Sequence, residues 1–168
     1  MDIAEVELAR KQIAFSREYT NLLLEDVSPE EWFSIPAGAV SHLAWQMGHL
    51  AMAQYGLVLL RIRGKERADN DFITKDFFRC FQKGSTPSAD AGQYPSADEI
   101  RTVFDAVFAR CLEEMPGFTV EQLSETLPAP TAAYENKLGS LLFCSMHEML
   151  HAGQIGALRR QLGKQPLR

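Results

Sequence analysis

Hydrophobic residues recur at intervals of three and four along four long stretches of the chain, which is the spacing of amphipathic helices. The clearest stretch begins at Ser96, which has Glu99 at the capping-box spacing. The pattern predicts helices over residues 2–26, 41–63, 96–115 and 137–162. No stretch shows the alternation of a strand, so the sequence predicts an all-α fold and, most simply, a four-helix bundle.

The first predicted helix has its apolar residues close to helical period, and we expect them to form its buried face. These residues are Ile3, Val6, Ala9, Ile13, Tyr19, Leu22 and Leu23. Between the second and third helices, residues 65–95 form a long connection with an aromatic segment at 72–81. A tight helical hairpin needs only about two to eight residues. The third helix can therefore run parallel to the second, and we expect the connection to contain one short helix and to cover one end of the bundle.

Length and charge narrow the class of protein. The 168 residues, of which 46% are hydrophobic, predict a single domain over residues 1–168. A net charge of −5 provides no basic surface for nucleic acid or for an anionic membrane. No segment approaches the roughly 20 apolar residues of a membrane-spanning helix, and the three cysteines are too widely spaced for a disulfide framework. We therefore expect a cytoplasmic protein that binds a small molecule, with Cys111 and Cys144 buried in the core.

The last predicted helix contains two histidines, His147 and His151, one helical turn apart. Residues four apart on a helix differ by about 40° in rotation and about 6 Å in rise, so both imidazoles leave the same face. This arrangement suits two ligands of one divalent metal ion. With Glu148 between them, the two histidines also form the His-Glu-X-X-His motif of zinc peptidases, in which the glutamate activates water.

A third ligand has to come from an upstream position. The residues after His151 include no histidine, aspartate or glutamate, whereas zinc peptidases normally take their third ligand from downstream. His49 lies in the middle of the second predicted helix, and metal sites in bundles are built from inward side chains of facing helices. We predict a site of His49, His147 and His151 with an open coordination position. His42 is predicted to be a core histidine and is the next candidate ligand, and Glu148 is kept only as an alternative base.

Two motifs resemble signatures of the DinB/YfiT-like superfamily. The sequence WQMGHL at residues 45–50 resembles its second-helix signature, W-X-X-G-H followed by a hydrophobic residue. The sequence HEMLHAGQIGALRR at residues 147–160 resembles its fourth-helix signature, H-X-X-X-H-X-G-Q-I-X-X-L-R-R. The resemblance covers essentially the whole chain and implies an up-down-down-up four-helix bundle. It also implies a divalent ion, often zinc, nickel or iron, on three histidines that correspond to His49, His147 and His151.

The resemblance implies an activity as well as a site. Some members of the superfamily resemble thiol S-transferases that use bacillithiol, mycothiol or glutathione, and others resemble maleylpyruvate isomerases. We therefore expect a metal-dependent enzyme that activates a low-molecular-weight thiol. A metal-dependent hydrolase and a metal-stabilised bundle without activity remain the alternatives. The resemblance also implies a homodimer formed through helical faces.

Three other residues of the motifs have interpretations of their own. A glycine inside a helix costs about 1 kcal/mol relative to alanine, so we expect Gly153 to admit the close approach of another helix or of the substrate. Gln154 lies seven residues after His147, and we expect a hydrogen bond near the site or between helices. Trp45 is expected in the core or in the wall of the pocket.

Overall fold

A computed structural model describes residues 3–128 and 135–167 of the chain. Its helices are α1 (Ile3–Leu24), α2 (Leu43–Gln54), α3 (Arg61–Arg63), α4 (Lys75–Phe81), α5 (Ala97–Glu114), α6 (Val120–Ser124) and α7 (Lys137–Gln161). Within these ranges there is no strand, only an isolated antiparallel bridge between Thr126 and Asn136. The prediction of an all-helical fold is therefore confirmed.

The long helices pack against each other in two pairs. Helix α1 packs along α7, α2 packs along α5, and α2 also contacts α7. Helix α5 begins at the predicted capping box, where Ser96 Oγ accepts a hydrogen bond from Glu99 N and Glu99 Oε2 accepts one from Ser96 N. Cys111 and Cys144 are buried and free, as expected. In the part of the chain that the structure describes, no helix is long and apolar enough to cross a membrane. The up-down-down-up order stays a prediction.

The second predicted helix changes its pitch partway along. Helix α2 ends at Gln54, a π-helical segment covers Tyr55–Leu60, and α3 follows directly. A π-helix pairs residue i with residue i+5, so it adds in effect one residue to the helical register, and such segments are frequent at functional sites. Gly64, with a φ of 88°, ends this run as predicted.

Helix α1 buries the face that most of its apolar residues predict, since Ala9, Ile13 and Leu23 are buried and Val6 and Tyr19 pack against the core. Leu22 is 41% exposed, whereas Arg17 and Thr20 are buried. The buried face also contains an ion pair, in which Arg17 Nε donates to Glu148 Oε1 of α7 at 2.8 Å. The prediction for this face was therefore wrong at Leu22, and it missed Arg17 because hydropathy alone places an arginine at the surface.

The long connection contains more regular structure than the single short helix that we predicted. Besides α4 it forms 3-10 turns at Arg67–Asp71 and Ala91–Gln93. Asp69 holds the first turn against the end of the second helix, because it accepts hydrogen bonds from Tyr55 Oη at 2.8 Å and from Arg63 Nη2 at 2.6 Å. Helix α4 packs against α2, which brings its last residue next to the candidate site.

Candidate metal centre

The structure brings the three predicted histidines together. His49 comes from α2, and His147 and His151 come from α7; one ring nitrogen of each lies within 4.8 Å of the other two. The ring centroids are 4.6 Å apart for His147 and His151, 4.8 Å for His49 and His151, and 5.3 Å for His49 and His147. His49 and His151 are buried, and His147 is the most accessible of the three. Such a cluster is compatible with three ligands of one divalent ion.

Both buried histidines have their Nδ1 atoms engaged in hydrogen bonds. His49 Nδ1 lies 2.8 Å from the carbonyl oxygen of Phe81, and His151 Nδ1 lies 2.5 Å from Oε1 of Gln46. Since these oxygens can only accept, each Nδ1 carries the proton and each Nε2 keeps a free lone pair. Hydrogen bonds of this kind orient metal-binding imidazoles and make them more basic. The two side chains are therefore held in the tautomer that a metal ion requires.

The amide of Gln46 is itself oriented by a second set of hydrogen bonds. Gln46 Nε2 donates to Ser41 Oγ at 3.1 Å, and Ser41 Oγ donates to the carbonyl oxygen of His42 at 3.4 Å. This arrangement leaves Oε1 of Gln46 as the atom that faces His151. The first turn of α2 thus sets the orientation of a histidine on α7.

Gly48 allows the hydrogen bond between His49 and Phe81 to form. A Cβ atom at position 48 would lie 2.5 Å from three ring carbons of Phe81, which is far inside van der Waals contact. Phe81 is the last residue of α4, where backbone carbonyls have no partner within the helix. Its carbonyl is therefore available to His49, and the glycine of the motif has a packing explanation.

Trp45 forms one wall of the site. Its ring stacks on that of His49 with 4.7 Å between centroids and 9° between planes, and its Nε1 donates to Ser85 Oγ at 2.8 Å. The stack and the hydrogen bond restrict the rotation of both rings. The prediction that Trp45 lies in the pocket wall is confirmed.

Burial keeps the three imidazoles neutral. Desolvation, together with the smaller effect of the neighbouring histidines, lowers the pKa of His147 to about 4 and that of His151 to about 3. Desolvation also lowers the pKa of His49, although the hydrogen bond with Phe81 opposes this. Because neutral imidazole is the form that binds metals, protons do not compete for these nitrogens near pH 7.

Glu148 belongs to the core rather than to this site. Its side chain is 2% exposed and accepts the hydrogen bond from Arg17 on α1. The same guanidinium donates to the carbonyl oxygen of Phe104 at 2.9 Å and to Gln54 Oε1 at 2.7 Å. With its carboxylate committed to this network, the alternative role of Glu148 as a general base is not supported.

Three further residues singled out in the sequence, His42, Gly153 and Gln154, lie outside the cluster. His42 is fully buried and caps α2, where its Nδ1 accepts a hydrogen bond from the backbone N–H of Trp45 at 3.1 Å, so its predicted core role is confirmed. Gly153 is exposed, and an added Cβ would have no described atom within 4 Å. The expected close approach of a helix to Gly153 was therefore wrong, because this face of α7 is open. Gln154 is exposed as well.

A pocket of about 720 Å³ opens beside the histidines, a volume suited to a small molecule. Trp45, His49, His147 and His151 form one part of its lining. The rest is mainly apolar and includes two cations; it consists of Met52, Ala53, Gly56, Leu57, Leu60, Arg61, Phe78, Gln82, Lys83, Gly84, Ser85 and Phe143. A second cavity of about 730 Å³, next to Pro29 and Ser96, contains none of the histidines. Only the first of these two cavities therefore combines the three histidines with space for a ligand.

Comparison with known families agrees with this geometry. The sequence model of the DinB superfamily matches residues 12–155, most of the chain. The chain belongs to the DinB superfamily. The matched region of this DinB-superfamily chain contains all three clustered histidines. No curated protein gives a significant match.

Two contributors to the DinB-type site were missing from our predictions. Gln46 lies three residues before His49 and within the WQMGHL motif, so its position on the same side of α2 was a usable signal. The carbonyl of Phe81 gave no such signal, because a backbone acceptor is not encoded by residue type. Only the folded position of α4 shows that this carbonyl orients His49.

Proposed function

We propose that the protein is a metal-dependent S-transferase whose zinc, nickel or iron ion is held by His49, His147 and His151. The observation that carries the proposal is the convergence of three neutral imidazoles at one wall of an open pocket. When bound there, the ion would lower the pKa of a coordinated thiol and so supply thiolate at neutral pH. The proposal includes the up-down-down-up bundle, the homodimer and the cytoplasmic location that the resemblance and composition favour.

The proposed reaction transfers a low-molecular-weight thiol to an electrophilic carbon. The sulfur lone pair forms a carbon–sulfur bond, the bond to the leaving group breaks with its electron pair, and the thiol proton passes to water. The chain's own residues orient the histidines and line the space for the reactants. Gln46 and Phe81 fix two of the imidazoles, Trp45 stacks on one of them, and Phe143 contributes an apolar wall.

The position of Glu148 disfavours a hydrolase of the zinc-peptidase type. A hydrolase of the His-Glu-X-X-His type needs its glutamate as a base for water, but this glutamate is paired with Arg17. No aspartate or glutamate is found among the described residues that line the pocket. A thiol of lowered pKa needs no protein base, so the transferase is compatible with this lining.

The proposal is tested by metal content and turnover. Protein purified without a histidine tag should contain about one transition-metal ion per chain. Loaded with zinc, nickel or iron, it should accelerate the loss of thiol in the presence of 1-chloro-2,4-dinitrobenzene or an epoxide, and His147→Ala should not. Full loading without reaction of any thiol would favour a metal-stabilised bundle. Ester hydrolysis without thiol would favour the hydrolase.

A further inference from the structure

We propose that Arg61 binds a carboxylate of the ligand that enters the pocket, and thereby selects anionic substrates. The inference rests on the proposed function only in placing a small molecule beside the histidines. Arg61 lies twelve residues after His49 and outside both superfamily motifs. Its assignment comes from three features of the structure: its missing partner, its register on the helix, and the charge of the pocket.

Arg61 has no carboxylate partner within the described residues, although it is partly buried. The other arginines with little exposed side chain all have one. These pairs are Arg17 with Glu148 at 2.8 Å, Arg63 with Asp69 at 2.6 Å, and Arg159 with Asp26 at 2.6 Å. Arg61 donates only a long hydrogen bond of 3.4 Å, from Nη1 to Ser140 Oγ. A guanidinium has five N–H donors in a planar fork that matches a carboxylate, so most of its capacity is left for a ligand.

The π-helical segment places Arg61 on the side of the helix that bears His49. Twelve residues of regular α-helix correspond to a net rotation of about 120°. The segment at Tyr55–Leu60 adds in effect one residue to the register. The separation then corresponds to eleven residues, a net rotation of only about 20°. Arg61 and His49 accordingly both line the pocket.

Ser140 supports both the π-helical segment and the guanidinium. Its hydroxyl donates to the backbone carbonyl of Leu57 at 3.0 Å, inside the segment. Because the proton is used in this bond, the oxygen faces Arg61 as an acceptor. A neutral hydroxyl positions the guanidinium without neutralising its charge, so the cation stays available to an incoming anion.

The pocket is positively charged within an acidic chain. Arg61 and Lys83 line it, and the described lining includes no aspartate or glutamate, whereas the chain as a whole has a net charge of −5. A cleft of one charge with apolar walls concentrates counter-ions of the opposite charge. The lining therefore fits a ligand with an apolar body and a carboxylate. That carboxylate belongs either to the thiol or to the electrophile, and the two sources can be separated by experiment.

The first experiment uses thiols of graded length bound to Co²⁺-loaded protein. 3-Mercaptopropionate, 6-mercaptohexanoate and 8-mercaptooctanoate are each compared with the mercaptoalcohol of equal length. Binding is followed by the sulfur-to-cobalt charge-transfer absorption, which requires no turnover. We expect at least one acid to bind about tenfold more tightly than its alcohol, as a bidentate charge-assisted contact implies. Arg61→Met should bring this ratio close to one, whereas Arg67→Met, a matched change at an exposed arginine, should leave the ratio intact.

The second experiment measures anion binding without thiol or metal. Glutarate is titrated into ¹⁵N-labelled apo protein, and the Nε–Hε signals of the arginines are followed by NMR. A shift of the signal that Arg61→Met removes would support the proposal even if no thiol binds, and would assign the carboxylate to a substrate other than the thiol. Thiol binding without preference for acids, together with glutarate binding that Arg61→Met does not weaken, would overturn the proposal. Absence of any thiol–cobalt signal would instead contradict the proposed function.

Discussion

His147 and Glu148 are neighbours in the sequence, yet their side chains lie in opposite environments. His147 lines an open pocket, and desolvation lowers its pKa so that it is neutral. Glu148 lies in the core, where it forms an ion pair with Arg17. Neighbouring residues on a helix are about 100° apart, so one residue of the motif can face the pocket while the next one faces the core. Substitutions on the pocket side should therefore affect metal binding, and substitutions on the core side should affect stability.

The largest effect is expected on the pocket side, from His49→Ala. Removal of one of three ligands should reduce the metal content from about one ion per chain to near zero. The helical circular dichroism should be unchanged, because the alanine remains compatible with α2. Elemental analysis after dialysis measures the outcome. His42→Asn, which keeps a capping side chain, is the matched control and should retain the metal. Wild-type metal content in His49→Ala would mean that the third ligand lies elsewhere.

On the core side, Arg17→Met should destabilise the fold without emptying the site. Loss of one partner leaves the Glu148 carboxylate buried and unpaired, which costs about 3–5 kcal/mol of unfolding free energy. Urea denaturation measures this cost, and the folded fraction should still bind metal. Glu148→Gln provides the complementary test. If it abolished turnover while leaving stability unchanged, Glu148 would be a catalytic residue after all.

A smaller effect distinguishes two glutamines of the second helix. Gln46→Ala removes the hydrogen bond to His151 and should weaken metal binding about 10–100-fold, measured by competition with a chelator. Gln54→Ala removes an acceptor of Arg17 and should lower stability while preserving metal affinity. Equal metal affinity in both variants would show that the orientation of His151 does not depend on Gln46.

The smallest effect concerns His42, which lies outside the metal cluster. Desolvation by burial lowers its pKa below the ordinary value of 6.5, so the unfolded chain takes up the proton first as the pH falls. Its contribution to stability is complete above about pH 6.5 and is lost toward the lower folded pKa, with a slope of at most about 1.4 kcal/mol per pH unit. His42→Asn should flatten the dependence of unfolding free energy on pH between 6.5 and 5. An unchanged slope would contradict a neutral buried His42.

The parts of this molecule that sequence could predict depend on local patterns. The period of apolar residues predicted the long helices, and the spacing of His147 and His151 predicted that their rings share a face. His49 required only the further assumption that bundle sites use facing helices. These patterns extend over only a few helical turns, so they can be recognised without knowing how the rest of the chain folds.

The parts that sequence could not predict depend on contacts between distant segments. Arg17 and Glu148 are separated by 131 residues, so nothing near either residue indicates that α1 buries a charge. The carbonyl that orients His49 belongs to α4, whose position is set by packing on α2. The π-helical segment at Tyr55–Leu60 likewise follows no local pattern that we identified.

The stack of Trp45 on His49 gives the candidate metal centre an optical probe. The chain has two tryptophans, and the other one, Trp32, is buried and has no ring contact with the clustered histidines. Indole emission is quenched by paramagnetic ions close to the ring. Occupancy of the site by a paramagnetic ion should therefore be visible in the intrinsic fluorescence of Trp45, and Trp32→Phe would leave a chain whose single tryptophan stacks on one of the clustered histidines.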